Sequence, residues 1–247
     1  LGFTGEYGIT GGAGVEFDNF RGKGQKLNIG ASTGTNFSIY TTQEPSKYRS
    51  LNISFQDPMI NDSPYLVGAS IFYSFRGSST NYYFPLDFTV GGAVASFGRR
   101  LEWPDDFFRV MWSAKFMQKE YEGSQSDIDN YIGGLQKTRG ISLSQVLSRD
   151  SRNRAEFPTN GSTFILENTY SGGFLGGNEN FQKHMLTLDW FTPTFSKFVL
   201  YNSVKLGVIK TIDVGDDIQS FVPFDERFIM GGNGIPYGNA LRGYPDN

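Results

Sequence analysis

The 247-residue chain contains no cysteine and only one histidine, His184. The absence of cysteine excludes disulfides and thiolate metal sites, and a single histidine leaves little scope for a histidine-based metal site or a catalytic triad. No stretch approaches the ~20 consecutive apolar residues that a membrane-spanning helix needs. The net charge of −3 argues against nucleic acid as the main partner, because phosphate contacts need clustered lysine and arginine.

Glycine and aromatic residues are frequent instead. The chain has 31 Gly, 23 Phe and 13 Tyr, whereas hydrophobic residues make up only 38%. That hydrophobic share is below that of an ordinary globular domain. The combination suits the wall of a transmembrane β-barrel, where only every second residue of a strand meets lipid.

Apolar and polar residues alternate with a period of two along most of the chain, which indicates β-strands with two different faces. The apolar residues that we expect to face lipid are Leu27, Ile29, Ile53, Phe55, Ile71, Phe116, Leu200 and Leu206. The polar residues that we expect to face a barrel lumen are Asn28, Ser32, Ser54, Ser70 and Lys205.

About ten segments carry this alternation, and helical periodicity is nearly absent. The predicted strands lie near residues 9–18, 25–40, 47–57, 64–77, 82–98, 107–121, 138–150, 162–172, 181–193 and 197–212. Residues 1–5 are predicted to be the stub of another strand. Many of these segments reach the ~9–11 residues of a tilted membrane strand.

Tight turns and longer connections alternate along the chain. Turn-forming sequences occur at residues 21–24, 61–64 and 158–161, and longer connections span 121–138 and 213–247. One end with short turns and one with long loops is typical of outer-membrane barrels. The sequence therefore predicts an all-β fold, a partial transmembrane antiparallel β-barrel. A soluble β-sandwich also alternates, but strand length, aromatic content and loop asymmetry favour the membrane.

Three motifs stand out within this pattern. The first, which we call the tetrad, consists of Leu241, Arg242, Gly243 and Tyr244, after a stretch with two phenylalanines and two glycines at residues 224–232. The second, the hairpin motif, consists of Asp150, Arg152, Phe157, Pro158 and Gly161. The third is the turn sequence DNFRGKG at residues 18–24.

In this order the three motifs resemble the BamA family, the bacterial branch of the outer-membrane protein-assembly superfamily. The tetrad is similar to the family's Val/Ile-Arg-Gly-Phe/Tyr sequence, with Leu241 in place of the β-branched residue. The resemblance spans nearly the whole chain and implies a barrel of about 16 strands preceded by periplasmic POTRA domains. Residues 1–247 are then expected to form an incomplete barrel domain of about ten or eleven strands, without the POTRA domains and the last strands.

The resemblance also implies that residues 213–247 form a long extracellular loop folded toward the lumen. An arginine buried there needs a carboxylate partner, so we expect Arg242 to be directed at the inner wall. Gly243 would allow a close backbone approach, and Tyr244 would pack against the wall. In the hairpin motif, Asp150 and Arg152 are expected to form a hydrogen-bonded cluster beside a turn and not a binding site.

By resemblance, the function is the assembly and insertion of β-barrel proteins into the bacterial outer membrane by an integral, multi-pass barrel. The expected partners are outer-membrane lipids and lipopolysaccharide, unfolded outer-membrane protein clients, and periplasmic or lipoprotein accessory subunits. Insertion needs no covalent chemistry, so we expect no enzyme activity and no catalytic, metal or cofactor site.

Three alternatives stay open on the sequence alone. A passive porin or transporter barrel would have a polar lumen that is open or constricted by a charged loop. A translocation-assembly or two-partner secretion barrel of the same superfamily would share the motifs. An outer-membrane lipase would need His184 as its base, and no G-x-S-x-G sequence marks a nucleophile.

Overall fold

Eleven antiparallel strands in chain order form the wall of the molecule. The structure is a computed structural model that describes residues 2–4, 8–35, 47–78, 85–215, 222–223, 226–230 and 238–239. Each strand pairs with its neighbours in sequence, so that the sheet has the order β1 to β11 without a crossover. The strands are β1 Gly2–Thr4, β2 Gly8–Phe20, β3 Gln25–Thr35, β4 Lys47–Asp57, β5 Tyr65–Arg76, β6 Asp87–Arg100, β7 Phe108–Glu122, β8 Lys137–Asp150, β9 Gly161–Ser171, β10 Phe181–Pro193 and β11 Val199–Thr211.

The alternation predicted these strands closely, and among the strand ends that the structure describes only the start of β6 differs by more than two residues. The predicted strand at 25–40 is described as far as Thr35, and residues 36–46 lie outside the described part. The predicted strand at 82–98 begins at Asp87 and runs on to Arg100. A two-residue parallel pair, β12 Ile229–Met230 with β13 Gly238–Asn239, forms a separate small sheet.

Strand pairing separates the sheet into an apolar face and a polar face. Ile53 pairs with both Ile29 and Ile71, so these three side chains form one row across β3, β4 and β5. Ser54 and Ser70 pair in a second row on the opposite face. We call the first side the outer face and the second side the inner face.

The same registers extend both faces around the whole sheet. The outer face also carries Leu27, Phe55, Phe116, Leu200 and Leu206, and the inner face also carries Asn28, Ser32 and Lys205. Several outer residues are strongly exposed, with Ile71 at 55% and Leu206 at 60%. The predicted division of apolar and polar residues between two faces is therefore confirmed.

A short helix between β7 and β8 corrects the predicted loop at 121–138. Helix α1 spans Gln125–Ile132. The Ser124 side chain accepts a hydrogen bond from the Asp127 backbone N–H, which satisfies one of the free donors at the helix start. Gly133 ends the helix in the left-handed region with φ of 62°. The segment is too short and too polar for its helical period to be visible in the sequence.

Helix α1 packs on the inner face and forms the buried apolar core of the described residues. Its Ile128 and Ile132, one turn apart, lie against Leu86, Phe88 and Tyr121. The rings of Phe88 and Tyr121, which pair across β6 and β7, stack with their centroids 5.2 Å apart. Fully burying an isoleucine side chain stabilises a fold by about 1.5–3 kcal/mol, so this cluster holds the helix against the inner face.

The two ends of the sheet have different connections. Consecutive strands meet at one end, the turn end, through residues 21–24, 58–64, 101–107, 151–160 and 194–198. At the other end, the loop end, the connections are residues 5–7, 36–46, 77–86, 123–136 and 172–180. Most of the loop-end connections are longer than most of the turn-end ones, as predicted, and α1 belongs to the loop end. Among the helices of the described residues, none is long and apolar enough to cross a membrane.

Candidate functional site

The hairpin motif lies at the turn end, between β8 and β9. The Arg152 guanidinium donates from Nε to Asp150 Oδ1 at 2.9 Å and from Nη2 to Asp150 Oδ2 at 2.7 Å. The Asp150 carboxylate also accepts the Arg152 backbone N–H at 3.1 Å. The side-chain hydrogen bond to Asp150 raises the pKa of Arg152 above its usual value. Two parallel charge-assisted bonds fix the direction of both side chains.

Asn153 closes the hairpin by bridging the two sides of the turn. Its Oδ1 accepts the backbone N–H groups of Thr159 and Asn160 at 3.0 and 3.2 Å, and its Nδ2 donates to Thr159 Oγ1 at 2.8 Å. Asparagine can serve as donor and acceptor at once, which a carboxylate in this position could not do. Asn153 directly follows Arg152 in the sequence and is the residue that organises this turn.

The last residue of the hairpin motif needs to be glycine for two reasons. Gly161 has φ of 104°, and a Cβ built there would meet the Ser151 carbonyl oxygen and lie 2.7 Å from Arg152 Cα. The motif thus brings Asp150, Arg152 and Gly161 together. Phe157 is different, because its side chain is 87% exposed and stands outside the packed turn. Pro158, next to it, is partly buried.

An arginine on β8 ties this hairpin to the preceding turn. Arg149 donates from Nε to Asp105 Oδ2 at 2.8 Å and from Nη1 to Ser151 Oγ at 3.0 Å. The same guanidinium lies over the ring of Phe107, 5.5 Å from the centroid. The connections at residues 101–107 and 151–160 therefore form one hydrogen-bonded unit at the turn end. Arg149 and Asp105 are 44 residues apart in the sequence, so no local sequence pattern could have predicted their contact.

At the loop end, a lysine on the inner face holds part of the chain that follows β11. Lys183 Nζ donates to the Glu226 backbone oxygen at 2.9 Å and to Glu226 Oε2 at 3.0 Å. The ammonium also lies 5.2 Å from the centroid of the Phe228 ring. Phe228 covers Gly207 on β11 so closely that a Cβ at Gly207 would lie 2.5 Å from the ring. Glu226 and Phe228 therefore contact the inner face of β10 and β11.

The tetrad lies outside the described residues. This applies to Leu241, Arg242, Gly243 and Tyr244 alike, so the direction of Arg242 and the surroundings of Tyr244 stay predictions. Within residues 213–247 the structure describes 213–215, 222–223, 226–230 and 238–239. Among these described parts, Glu226 is held by the side chain of Lys183 on β10.

A second inner-face cluster at the loop end is built on a fully buried ion pair. Lys119 Nζ lies 3.1 Å from Glu179 Oε1, and both side chains have 0% exposure. Thr138 Oγ1 donates to the same oxygen at 2.7 Å. A Cβ at Gly140 would lie 2.7 Å from Glu179 Oε2, so the glycine makes room for the carboxylate. The cluster fastens the connection at residues 172–180 to β7 and β8.

The clusters described above consist of hydrogen bonds and ion pairs that join strands to connecting segments. In the part of the chain that the structure describes, no group of three or more His, Cys, Asp or Glu side chains could hold a metal ion. His184 Nδ1 lies 2.8 Å from Asn168 Oδ1, an outer-face neighbour on β9. What the arrangement can do is hold connecting segments on the inner face, by hydrogen bonds and ion pairs.

Comparison with known proteins agrees with this architecture. The outer membrane protein assembly factor BamA of Nitratidesulfovibrio vulgaris (strain Hildenborough) is 28% identical over 207 residues, which cover 80% of this chain and 23% of that protein. The crystal structure of BamA from Haemophilus ducreyi lacking POTRA domains 1–3 matches with a TM-score of 0.74 at 18% identity. That match covers 99% of this chain and 44% of the other chain.

The chain thus spans about a quarter of the curated relative and less than half of the solved structure that it matches. The fold that it shares with the solved structure makes it part of a transmembrane antiparallel β-barrel, and the likeness to bacterial BamA proteins indicates a barrel integral to the bacterial outer membrane. The family model of the Omp85 superfamily domain matches residues 19–247, which is nearly the whole chain. The chain belongs to the Omp85 superfamily.

Proposed function

We propose that this chain is part of the central barrel of the machinery that assembles and inserts β-barrel proteins into the bacterial outer membrane. The family membership and the likeness to two BamA proteins support this proposal. In the proposal, residues 1–247 belong to one barrel domain, and POTRA domains and further strands lie elsewhere in the full-length protein. The loop end faces the cell exterior and the turn end faces the periplasm.

The observation that carries the proposal is the contact between Lys183 and Glu226. It holds a segment upstream of the tetrad on the inner face, at the end of the sheet that bears the long connections. We infer that residues 213–247 continue as an extracellular loop folded toward the lumen. A loop held inside by polar contacts would stop the lumen from acting as a simple water-filled channel.

In this account Arg242 reaches a carboxylate on the inner wall. A guanidinium can bind a carboxylate with two parallel hydrogen bonds, and an uncompensated buried charge is strongly destabilising. Gly243 would let the backbone approach the wall closely. Tyr244 would pack beside the arginine, with its hydroxyl able to find a polar partner.

Insertion is a physical process in this proposal and needs no catalytic residue or cofactor. Backbone polar groups that are left unpaired in lipid are strongly unfavourable, so a client strand must pair before it enters the bilayer. A barrel that offers an open strand edge can template that pairing. The clients are unfolded outer-membrane proteins, and periplasmic or lipoprotein accessory subunits would deliver them.

The outer face defines the expected lipid contacts. Exposed apolar side chains such as Ile71, Phe116 and Leu206 would lie against acyl chains. Outer-membrane lipids and lipopolysaccharide are therefore the proposed surroundings of the wall.

Depletion of the full-length protein in its own bacterium tests the proposal against the two other barrel functions. We expect a broad loss of folded outer-membrane proteins, with unfolded precursors accumulating in the periplasm. A passive porin would instead cause a loss of solute uptake with normal assembly of other barrels. Loss of a few secreted or translocated proteins alone would indicate a translocation-assembly or two-partner secretion barrel.

A further inference from the structure

A pocket of about 360 Å³ opens on the inner face at the turn end, well separated along the strands from the loop-end contacts. It is bordered by the ends of β6, β7 and β8 and by the hairpin that follows β8. Its lining residues are Arg100, Asp106, Phe107, Arg109, Ser148, Asp150, Arg152 and Ala155.

The central feature of the pocket is a pair of like charges. Arg100 on β6 and Arg109 on β7 are direct partners in the strand register. Side chains at such positions have their Cβ atoms about 4.5–5.5 Å apart, and like charges there repel. An anion bound between the two guanidinium groups would be attracted to both and would offset their mutual repulsion.

The two aspartates in the pocket neutralise the arginines only in part. The carboxylate of Asp150 is held bidentately by Arg152. Arg100 donates from Nε to the backbone oxygen of Asp106 at 2.7 Å. The Arg109 guanidinium interacts electrostatically with the Asp150 carboxylate but donates no hydrogen bond to any residue that the structure describes, so its planar fork can still bind a ligand.

An aromatic wall lies next to this charge pair. Phe107 lines the pocket and is 49% exposed. Arginine and exposed aromatic side chains are the residues most enriched in protein interfaces. The pocket therefore offers a carboxylate site with an apolar surface beside it, which fits an acidic residue next to an apolar one in an extended peptide.

We propose that this pocket binds a carboxylate of an acidic polypeptide segment, with Arg100 and Arg109 holding the carboxylate and Phe107 contacting a neighbouring apolar side chain. A polypeptide fits better than a lipid headgroup, because the pocket lies on the inner face and the lipid-facing side chains lie on the outer face. The inference depends on the proposed function in one respect only, which is that the acidic segment reaches the pocket from the periplasm.

Peptide binding to the purified full-length protein in detergent tests this inference. The probe is a fluorescein-labelled, amidated peptide FDSDF, and the matched probe is FNSNF, which lacks the carboxylates. Binding is followed by fluorescence anisotropy. We expect FDSDF to bind more tightly than FNSNF, and Arg109→Gln to weaken FDSDF binding about tenfold or more, the effect of losing a charge-assisted hydrogen bond.

Arg154→Gln is the matched control, because Arg154 lies in the same hairpin, is exposed and does not line the pocket. It changes the net charge equally and should leave binding of FDSDF within about twofold. Equal weakening by both variants, or equal binding of FDSDF and FNSNF, would overturn the inference. The inference would also be overturned if the pocket bound phosphatidylglycerol in preference to FDSDF and Arg109→Gln abolished that lipid binding.

A second variant keeps the test decisive if Arg109→Gln fails to fold, as judged by heat-modifiability on gels. Ala155→Glu places a carboxylate at an exposed turn position on the pocket wall. This carboxylate should compete with FDSDF for the two arginines and weaken its binding. Unchanged binding of FDSDF would contradict the inference. The assay requires no insertion activity. A negative binding result would therefore leave the proposed function standing, and a negative depletion result would leave the binding site standing.

Discussion

The Lys183 ammonium binds both the backbone oxygen and the carboxylate of Glu226, 43 residues further along the chain. Both side chains are largely buried, with 18% and 21% exposure. A hydrogen bond to a charged group contributes about 1.5–3 kcal/mol when it is shielded from water. This contact therefore couples the wall of the sheet to the segment that leads to the tetrad.

Replacing Lys183 by methionine should release this segment. Methionine keeps most of the apolar stem but donates no hydrogen bond and carries no charge. We expect residues 213–230 of the full-length protein to become more sensitive to added protease, while the strands stay protected. Lys205→Met is the matched control, because Lys205 is also on the inner face, on the next strand. Equal protease sensitivity of the two variants would contradict a specific anchor at Lys183.

Arg242→Ala should impair barrel assembly or function more than Arg227→Ala. Arg227 is exposed and donates to the Val222 backbone oxygen at 3.0 Å, so its loss should have a small effect. Leaving the proposed carboxylate partner of Arg242 buried and unpaired costs about 3–5 kcal/mol. Arg242→Lys should rescue only partly, because an ammonium lacks the planar fork.

Heat-modifiability on gels and complementation of a depletion strain measure both arginine variants. Wild-type behaviour of Arg242→Ala in the two assays would remove the basis for a buried tetrad. A structure of the full-length barrel with Arg242 in bulk solvent would do the same.

Glu179→Ala should lower the temperature at which the barrel unfolds on heat-modifiability gels. It removes the ion-pair partner of Lys119 inside a fully buried cluster, and such a loss costs about 3–5 kcal/mol. The double variant Lys119→Met with Glu179→Leu should recover much of the loss, because a buried pair can be replaced by apolar residues of similar volume.

An exposed ion pair provides the control for this experiment. Lys137 Nζ lies 2.6 Å from Glu120 Oε1, but the two side chains are 64% and 40% exposed. Water screens such a pair, so Glu120→Ala should leave the unfolding temperature nearly unchanged. If Glu120→Ala lowered the unfolding temperature as much as Glu179→Ala, burial of the ion pair would not be what determines its contribution to stability.

Gly161→Ala should reduce the yield of folded barrel. An alanine Cβ would collide with the Ser151 carbonyl oxygen and approach Arg152 Cα, and the φ of 104° is unfavourable for any residue with a Cβ. Gly176 has φ of 80° but no atom within 4 Å of the added Cβ. Gly176→Ala should therefore show only the milder effect of the backbone conformation. Equal yields for both variants would argue against the collision.

The sequence predicted the strands well because a period of two is a local signal. Each strand such as β5 or β7 carries its own alternation, and one face of each is apolar. Helix α1 was not predicted, because eight residues with two buried isoleucines give too weak a period. Its start at Ser124 and its end at Gly133 do carry ordinary capping signals.

The site could be predicted only where a motif is contiguous. The hairpin motif places Asp150 and Arg152 two residues apart, so their contact follows from local geometry. The pairs Lys119–Glu179 and Lys183–Glu226 join residues far apart in sequence, and no local pattern relates their members. Lys119 and Lys183 lie at inner-face positions of long strands, but we did not single them out in the sequence.

The most direct test of the central claim is assisted insertion in liposomes. The full-length protein is reconstituted with its accessory subunits, an unfolded outer-membrane protein is added, and the folded fraction is followed by heat-modifiability. The account predicts that folding is much faster than in empty liposomes, and that Lys183→Met slows it while Lys205→Met does not. Folding of the client at the same rate with and without the reconstituted protein would contradict the account.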